Sequence, residues 1–410
     1  MTATPLSRIT TLAADRRVHR AFHWLHIHEL QLRQWQLEML AIPAPPFGEA
    51  VRAAWFIERF HTLGLTNIHL DTEGNALATL PGLQPAPSEP WALDPKPSIL
   101  LSAHLDTVFP PTTDCTPSED GPRILGPGAC DNAAGLTAQL AIAAAMQYAE
   151  LTPACPIIFA ANVGEEGPGD LRGMRHIFSD SHNIAAAIAL EGSGNATVVD
   201  RALGSRRFRI TLSGPGGHSW ADAALPNPIF ALSEALAAIS RLELPRAPRT
   251  TLHCGTISGG TSVNSVPESA TADLDLRSVS PAQLDLSETH VLATIRSAID
   301  AVNARTPNPL RLELARIGDR PAAALAPDSS LFTSLRAVDR HLNIATDTRI
   351  GSTDANLPLS LGIPALAIGC GGTSGGIHTL NEWHDPTGRT LALRRILLLL
   401  LDACTLFALP

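Results

Sequence analysis

Short apolar runs that alternate with helical segments are the feature that most restricts the fold of this chain. Three such runs, residues 98–103, 156–162 and 185–190, carry almost no polar side chains, which is typical of parallel strands buried on both faces of a sheet. A long segment rich in alanine and leucine follows Asp131, extends to about Ala149 and has the length of a helix. Strands that alternate with helices predict a layered α/β fold built on a mixed sheet.

A different pattern begins near residue 205 and ends near residue 320. Its elements follow the order β-α-β-β-α-β, the split unit in which two helices cover one face of a four-stranded, ferredoxin-like sheet. The expected strands and helices are, in chain order, 206–212, 229–242 (helix), 250–257, 271–277, 288–303 (helix) and 310–317. We therefore predict an α+β domain of residues 204–319, inserted into an α/β domain of residues 1–203 and 320–410.

The first hundred residues are expected to be mainly helical. Apolar positions predict one helix over about 15–40 and a second over about 48–63, followed by a pair of strands between His69 and Leu80. The segment from Pro85 to Pro97 is rich in proline and predicts a surface loop.

Composition excludes several classes of protein. The 410 residues are 45% hydrophobic, enough for two or three domains with large cores, and the net charge of −9 argues against nucleic acid as the main partner. The longest apolar run, 396–401, is far shorter than the roughly 20 residues that span a bilayer. Six scattered cysteines without a CxxC pair, and an N-terminal stretch without an apolar run, predict a cytoplasmic protein with free thiols.

Acidic residues and histidines stand at the ends of the predicted strands. They are His104, Asp106, Glu165, Glu166, Glu191 and His378, together with Asp131 at the start of the long helix. Because the carboxyl ends of strands in an open α/β sheet meet at one crevice, we expect these side chains to lie close together. Two histidines and three carboxylates suit a pair of zinc-like ions bridged by one shared carboxylate.

Spacing suggests roles within this set. His104 and Asp106 are two residues apart, so on a strand both point the same way and the acid can hydrogen-bond the far nitrogen of the imidazole. Glu165 and Glu166 are adjacent and cannot face one ion equally well, which fits one ligand and one general base. Taken singly, each motif is more typical of a solvated turn, a loop or a helix cap than of a metal site, so the metal site depends on their combination.

These motifs together resemble the M20 family of zinc-dependent metallopeptidases and amidohydrolases, which includes tripeptidases, glutamate-type carboxypeptidases, aminoacylases and amino-acid deacetylases. The resemblance covers nearly the whole chain and is carried by residues 102–108, 126–135, 164–173, 191, 216–219 and 375–382. It implies that the inserted domain is a lid that also pairs two subunits into a homodimer.

The resemblance also implies the metal ligands. His104 and Glu191 would bind one Zn²⁺, Glu166 and His378 would bind the other, and Asp131 would bridge the two. Co²⁺ or Mn²⁺ are possible substitutes. The peptide bond between Asp131 and Asn132 is expected to be cis.

Roles in catalysis and substrate binding follow from the same resemblance. Glu165 would be the general base that activates a water bridging the two zinc ions, Asp106 would orient His104, and His218 on the lid would steady the oxyanion, often from the partner subunit. The implied substrate contacts are Asn264, Arg277, Ser352, Gly375 and Gly376. Arg277 could form a two-pronged bond to a substrate carboxylate.

The predicted activity is hydrolysis of peptide or amide bonds in small substrates, by an exopeptidase of the dipeptidase, tripeptidase or carboxypeptidase kind. An N-acyl-amino-acid amidohydrolase is the alternative, because the carboxylate ligand Glu191 is the type found in carboxypeptidase and deacylase members, whereas residues 354–356 and 361–365 look more like a peptidase-like branch. A non-catalytic amino-acid or peptide-binding homologue is the third reading, and the loss of the base or of a ligand would mark it.

Overall fold

The computed structural model describes residues 4–83, 96–179 and 183–408. The chain forms two compact units, one made of residues 1–202 and 324–410 and the other of residues 203–323. The domain boundaries expected from the sequence, 203/204 and 319/320, lie close to these divisions. Of the expected proline-rich loop at 85–97, only Lys96 and Pro97 are among the described residues.

The helices are, in chain order, α1 (Pro5–Ala13), α2 (Arg16–Ile27), α3 (Glu29–Leu40), α4 (Ala50–Thr62), α5 (Ala133–Tyr148), α6 (Arg172–Ser179), α7 (Pro228–Ile239), α8 (Pro281–Asn303), α9 (Ser330–Leu342), α10 (Asn356–Ser360) and α11 (Arg389–Phe407). The strands are β1 (Thr66–Leu70), β2 (Ala76–Leu80), β3 (Ser98–His104), β4 (Ser118–Asp120), β5 (Arg123–Leu125), β6 (Ile157–Asn162), β7 (Ile184–Leu190), β8 (Thr197–Ala202), β9 (Gly204–Ser213), β10 (Gly217–His218), β11 (Thr250–Gly259), β12 (Ser265–Val266), β13 (Ser269–Ser278), β14 (Arg311–Arg320), β15 (Ala323–Ala324), β16 (Asp347–Gly351), β17 (Ala365–Ile368), β18 (Thr373–Gly375) and β19 (Trp383–Asp385).

The first unit is built on a mixed sheet in the order β1-β2-β6-β3-β7-β17-β8-β15, with β16 paired to β8. Its four central strands, β6, β3, β7 and β17, are mutually parallel. Side chains on β3, β6 and β7 are almost entirely buried, which is the physical reason for their apolar sequences. The expected mixed-sheet α/β fold is confirmed, and the parallel arrangement brings four carboxyl ends to one edge of the sheet.

Helix α5 packs tightly beside this edge. Its side chains are buried along nearly its whole length, and the Asn132 side chain caps its start by accepting a hydrogen bond from the Gly135 amide. A Cβ atom at Gly135 would lie 2.5 Å from the carbonyl oxygen of Leu190, so only glycine allows this approach of the helix to the end of β7.

The N-terminal region departs from the prediction. The single helix expected over 15–40 is wrong, because the backbone of His28 leaves the helical region (φ −99°, ψ 24°) and separates α2 from α3. Neither glycine nor proline marks this break, so no local sequence signal predicts it. Helix α1 was not expected either.

The second unit has the expected β-α-β-β-α-β order, with an antiparallel sheet in the order β11-β13-β9-β14. Alternate residues of β9 and β13 point to a core that α7 and α8 complete. Helix α8 begins at Pro281, well before the expected residue 288, because Ser280 caps it and proline is tolerated in the first turn. The unit is therefore an α+β domain with two helices packed against its sheet.

Two further expectations concern the whole chain. All six cysteines are free thiols, as predicted. None of the helices within the described residues has both the length and the apolar character needed to cross a membrane.

Candidate metal centre

The centre lies where the parallel strands of the first unit end. His104 is the last residue of β3, Glu165 and Glu166 follow β6, and Glu191 follows β7. Asp131 directly precedes the N-cap of α5, and His378 lies in the connection between β18 and β19. The Asp131–Asn132 peptide bond is cis, which confirms the expectation from the family resemblance.

One group of potential ligands is largely buried. Nε2 of His104 lies 3.1 Å from Oδ1 of Asp131 and 3.6 Å from Oε1 of Glu191. The side chain of His104 is fully buried, and those of Asp131 and Glu191 are only 12% and 22% exposed. The three ligand atoms lie within 4.8 Å of one another, which is close enough for one ion to contact all three.

A second group opens towards solvent. Nε2 of His378 lies 2.9 Å from Oδ2 of Asp131 and 3.0 Å from Oε1 of Glu166. His378 is 52% exposed, whereas Glu166 is buried. Asp131 therefore contributes one carboxylate oxygen to each group, the arrangement expected of a carboxylate shared by two ions.

The chemistry of this cluster fits divalent cations. Nε2 of His104, Oδ1 of Asp131 and Oε2 of Glu191 are buried, and none of them has a hydrogen-bond partner in the part of the chain that is described. Burial raises the pKa of Glu191 to about 7, and hydrogen bonds to Asp131 and Glu166 raise the pKa of His378 to about 10. Carboxylates packed this closely need positive charge among them, and imidazole nitrogens with carboxylate oxygens are the ligands that Zn²⁺ prefers.

The two adjacent glutamates differ in their surroundings. Glu166 belongs to the exposed group, while Glu165, within the described residues, belongs to neither group. Glu165 is also buried, and its amide donates to Oδ1 of Asp106 at 3.0 Å, while the amide of Glu166 donates to Oδ2 of the same carboxylate at 2.7 Å. Asp106 thus holds the backbone of both glutamates.

Asp106 contacts His104 in a way that spacing alone did not predict. Nδ1 of His104 lies 3.0 Å from the backbone carbonyl oxygen of Asp106 but 3.6 Å from its carboxylate. The carboxylate instead accepts the two glutamate amides. Burial raises the pKa of Asp106, but its interactions with His104 and these amides outweigh burial, so its pKa is below the ordinary value.

Sequence reasoning missed a buried polar network beneath the Asp131 loop. Glu382 accepts hydrogen bonds from the amides of Gly128, Cys130 and Asp131. Gln36 donates to the carbonyl oxygen of Ala129. Glu382 stands four residues after the histidine ligand in the motif at 375–382, but only the fold shows which amides it accepts.

Gln36 continues this network away from the centre. Its Nε2 lies 2.9 Å from Nδ1 of His384, whose Nε2 donates to the carbonyl oxygen of Gly371. Oε1 of Gln36 accepts from Arg389, which forms an ion pair with Glu29. Burial lowers the pKa of His384 to about 4, so the ring is neutral near pH 7.

Other expected contacts in the first unit differ in exposure. Ser352 is partly buried, Gly375 ends β18, and Gly376 is exposed with φ +64°. Beside Ser352, the buried Asp354 carboxylate accepts from Nδ2 of Asn162 at 2.8 Å. Asn162 is the last residue of β6, so this bond ties the 352–354 segment to the same edge of the sheet.

The remaining expected site residues belong to the second unit. His218 is exposed, and its Nδ1 accepts from the amides of Trp220 and Ala221 at 3.2 and 3.4 Å. Asn264 is exposed and bonds to Ser262 through its side chain. Arg277 donates from Nε to Asp275 at 2.6 Å and is partly buried.

Comparison with known proteins gives one family. The family model described as peptidase family M20/M25/M40 matches residues 100–401, well over half of the chain. A probable carboxypeptidase from Paracoccidioides lutzii is 29% identical over 241 residues, which cover 52% of this chain and 51% of that protein. The chain thus matches about half the length of this curated relative.

Solved structures share the fold across nearly the whole chain. A tripeptidase from Staphylococcus aureus has a TM-score of 0.73 at 21% identity, with 92% of this chain and 99% of that one covered. The YXEP protein of Bacillus subtilis, described as a dinuclear metal-binding peptidase of the M20 family, has a TM-score of 0.66 at 13% identity, with 92% of this chain and 98% of that one covered.

Proposed function

The chain belongs to peptidase family M20/M25/M40, and on that basis we propose that it is a zinc-dependent exopeptidase acting on small peptides. The observation that carries the proposal is the pair of ligand groups that share Asp131. His104 and Glu191 would hold one Zn²⁺, Glu166 and His378 the other, and Asp131 both, with Co²⁺ or Mn²⁺ as substitutes. When bound, two such ions polarise a scissile carbonyl and lower the pKa of a water molecule.

Glu165 is our candidate for the general base. It is buried beside the ligands without belonging to either group, and Asp106 holds its backbone through the 3.0 Å hydrogen bond. Its carboxylate would accept a proton from the attacking water and return that proton to the leaving amine. Asp106 would position both Glu165 and His104, since it contacts the backbone of the first and the ring of the second.

We further propose that His218 donates a hydrogen bond to the oxyanion that forms from the carbonyl. Because Nδ1 of His218 accepts two backbone amides, the neutral ring carries its proton on Nε2, which is the tautomer an oxyanion donor needs. Asn264 and Arg277 of the same unit, with Ser352, Gly375 and Gly376, would hold the substrate, and Arg277 would have to exchange its bond to Asp275 for one to a substrate carboxylate.

Residues 203–323 are proposed as a lid that pairs with its copy in a homodimer, with His218 serving the partner's site. Subunit complementation tests this. Mixing inactive His218→Ala with inactive Glu165→Gln should restore activity as heterodimers form, because some sites then combine an intact Glu165 with an intact His218 from the other chain. An absence of recovery despite proven subunit exchange would show that His218 acts within its own chain or not at all.

The substrate class is tested with a panel. The metal content is measured first by elemental analysis, and the Zn²⁺-loaded protein is then assayed with dipeptides, tripeptides, blocked peptides with a free C-terminus, and N-acetyl amino acids. Cleavage of peptides supports the exopeptidase, and the name of the curated relative supports its carboxypeptidase form. Cleavage of N-acetyl amino acids alone would replace it with the amidohydrolase, and two bound ions without turnover of any substrate would favour a binding protein.

A further inference from the structure

Glu382 is a fully buried carboxylate beneath the metal centre that belongs to neither ligand group. Its Oε1 accepts from the amides of Cys130 and Asp131, each at 2.8 Å, and its Oε2 accepts from the amide of Gly128 at 3.2 Å. Three backbone amides of one short loop therefore converge on one side chain. One of these donors is the amide of Asp131 itself, the residue shared by both groups.

These amides need an acceptor that the local backbone does not supply. Residues 126–131 form neither helix nor strand, and Gly128 has φ +81°, so the N–H groups point away from regular backbone partners. A buried N–H without an acceptor costs free energy comparable to a lost hydrogen bond. A carboxylate accepts such bonds about twice as strongly as a neutral group does. Glu382 thus stabilises the loop conformation that presents Asp131.

The same residue also connects Asp131 to His378. Glu382 follows His378 by four residues and directly precedes β19, and its own carbonyl oxygen accepts from the amide of Gly126 at 2.9 Å. Strand β19 then pairs with β5 through Trp383 and His384. The loop that carries Asp131 and the loop that carries His378 are therefore joined at Glu382 by both side-chain and backbone bonds.

We propose that Glu382 is a positioning residue that sets the spacing between Asp131 and His378, and so the affinity of the exposed ligand group for its ion. Among the described residues it belongs to neither ligand group, and it acts through the backbone of Asp131. The proposal deepens the proposed function and rests on it, because it concerns the same metal centre. It requires that Zn²⁺ affinity and ligand geometry respond to a change at Glu382.

The test is Glu382→Gln, which keeps the volume but replaces one accepting oxygen with an N–H₂ donor. Zn²⁺ affinity is measured by competition with a chromophoric chelator, and the visible spectrum of the Co²⁺-loaded protein reports ligand geometry. We expect the affinity for the weaker ion to fall about 10–100-fold, the usual effect of removing a partner that orients a ligand, together with a changed Co²⁺ spectrum.

Asp339→Asn is the matched control. Asp339 is a buried carboxylate that binds Arg395 at 2.6 and 2.7 Å, and among the described residues it belongs to neither ligand group. It should lower the melting temperature without changing Zn²⁺ affinity or the Co²⁺ spectrum. If Glu382→Gln does not fold, the same measurements are made on Glu382→Asp. This variant keeps the charge but shortens the side chain.

The outcomes distinguish a failure of this proposal from a failure of the proposed function. A wild-type protein that binds two ions, with unchanged affinity and spectrum in the Glu382 variants, overturns the positioning role and leaves the proposed function standing. The positioning role is also overturned if Asp339→Asn weakens Zn²⁺ binding as much as Glu382→Gln does. A wild-type protein that binds no divalent ion overturns both proposals.

Discussion

The two ligand groups share Asp131 but are supported in opposite ways. His104 is the last residue of a central strand, its side chain is fully buried, and its Nδ1 lies 3.0 Å from the carbonyl oxygen of Asp106. His378 lies in a loop with φ +63°, and half of its side chain is exposed. Within the described residues, Nδ1 of His378 has no hydrogen-bond partner. The sheet orients one histidine, whereas the other depends on the loop that carries it.

This difference predicts how tightly each group binds its metal ion. A ring held by the sheet and by a hydrogen bond is already oriented before an ion arrives, and its charge interactions are little screened by water. A ring on an exposed loop must be ordered as the ion binds. We therefore expect the group of His104 to bind its ion more tightly, and the group of His378 to exchange its ion more readily.

The largest effect should come from removing each histidine in turn. His378→Ala should lower the bound Zn²⁺ from two equivalents to about one, because only the exposed group loses a ligand. His104→Ala should lower it below one, because the tighter ion is lost and the shared Asp131 is left without its buried partner. Elemental analysis after gel filtration measures both, with His69→Ala on an exposed strand as control. Equal losses in the two variants would contradict the asymmetry.

Next in size is the substitution Glu165→Gln. Both groups should keep their ions, while kcat falls by about 10²–10⁴-fold, the usual contribution of a general base. Metal content and kcat are measured on the same preparation. A loss of one ion in this variant would mean that Glu165 is a ligand, and that the roles of the adjacent glutamates are the reverse of those proposed.

Acid should weaken the buried hydrogen-bond network behind the exposed ligand group, because His384 in that network becomes protonated. Because burial lowers the pKa of His384 to about 4, the folded protein resists a proton that the unfolded chain binds near pH 6.5. The neutral ring therefore contributes stability that is present above pH 6.5 and is lost as the pH falls towards 4, by about 3 kcal/mol.

Urea unfolding of the metal-free protein between pH 7 and pH 4.5 measures this loss. The free energy of unfolding should fall less steeply with decreasing pH in His384→Gln than in the wild-type protein. The difference between the two slopes should correspond to about one proton bound on unfolding, since the other titrating groups contribute equally to both proteins. Identical slopes would show that His384 is not the group responsible.

The smallest expected effect is that of Asp106→Asn on the buried group. Asparagine removes the negative charge that lies 3.6 Å from Nδ1 of His104, so the affinity for the tighter ion should fall about 10–100-fold. Chelator competition resolves the two ions, and the weaker ion should change less. A selective loss of the weaker ion would instead assign Asp106 to the exposed group.

Much of the fold could be predicted because it depends on local patterns. The apolar runs correspond to β3, β6 and β7, and the strands expected in the inserted domain correspond to β9, β11, β13 and β14. Helix ends were less accurate, as the early start of α8 at Pro281 shows. The break at His28 could not be predicted, since neither glycine nor proline marks it.

For the candidate site, the sequence by itself determined which residue types stand after each strand, and that was sufficient to nominate two histidines and three carboxylates. Only the tertiary structure decided how they meet. The order β6-β3-β7-β17 brings distant strand ends together. In the folded chain Glu166 rather than Glu165 lies in the exposed group, and Glu382 accepts the amide of Asp131. The physical reason is that side-chain periodicity depends on neighbours along the chain, whereas strand order and buried hydrogen bonds depend on pairings across hundreds of residues.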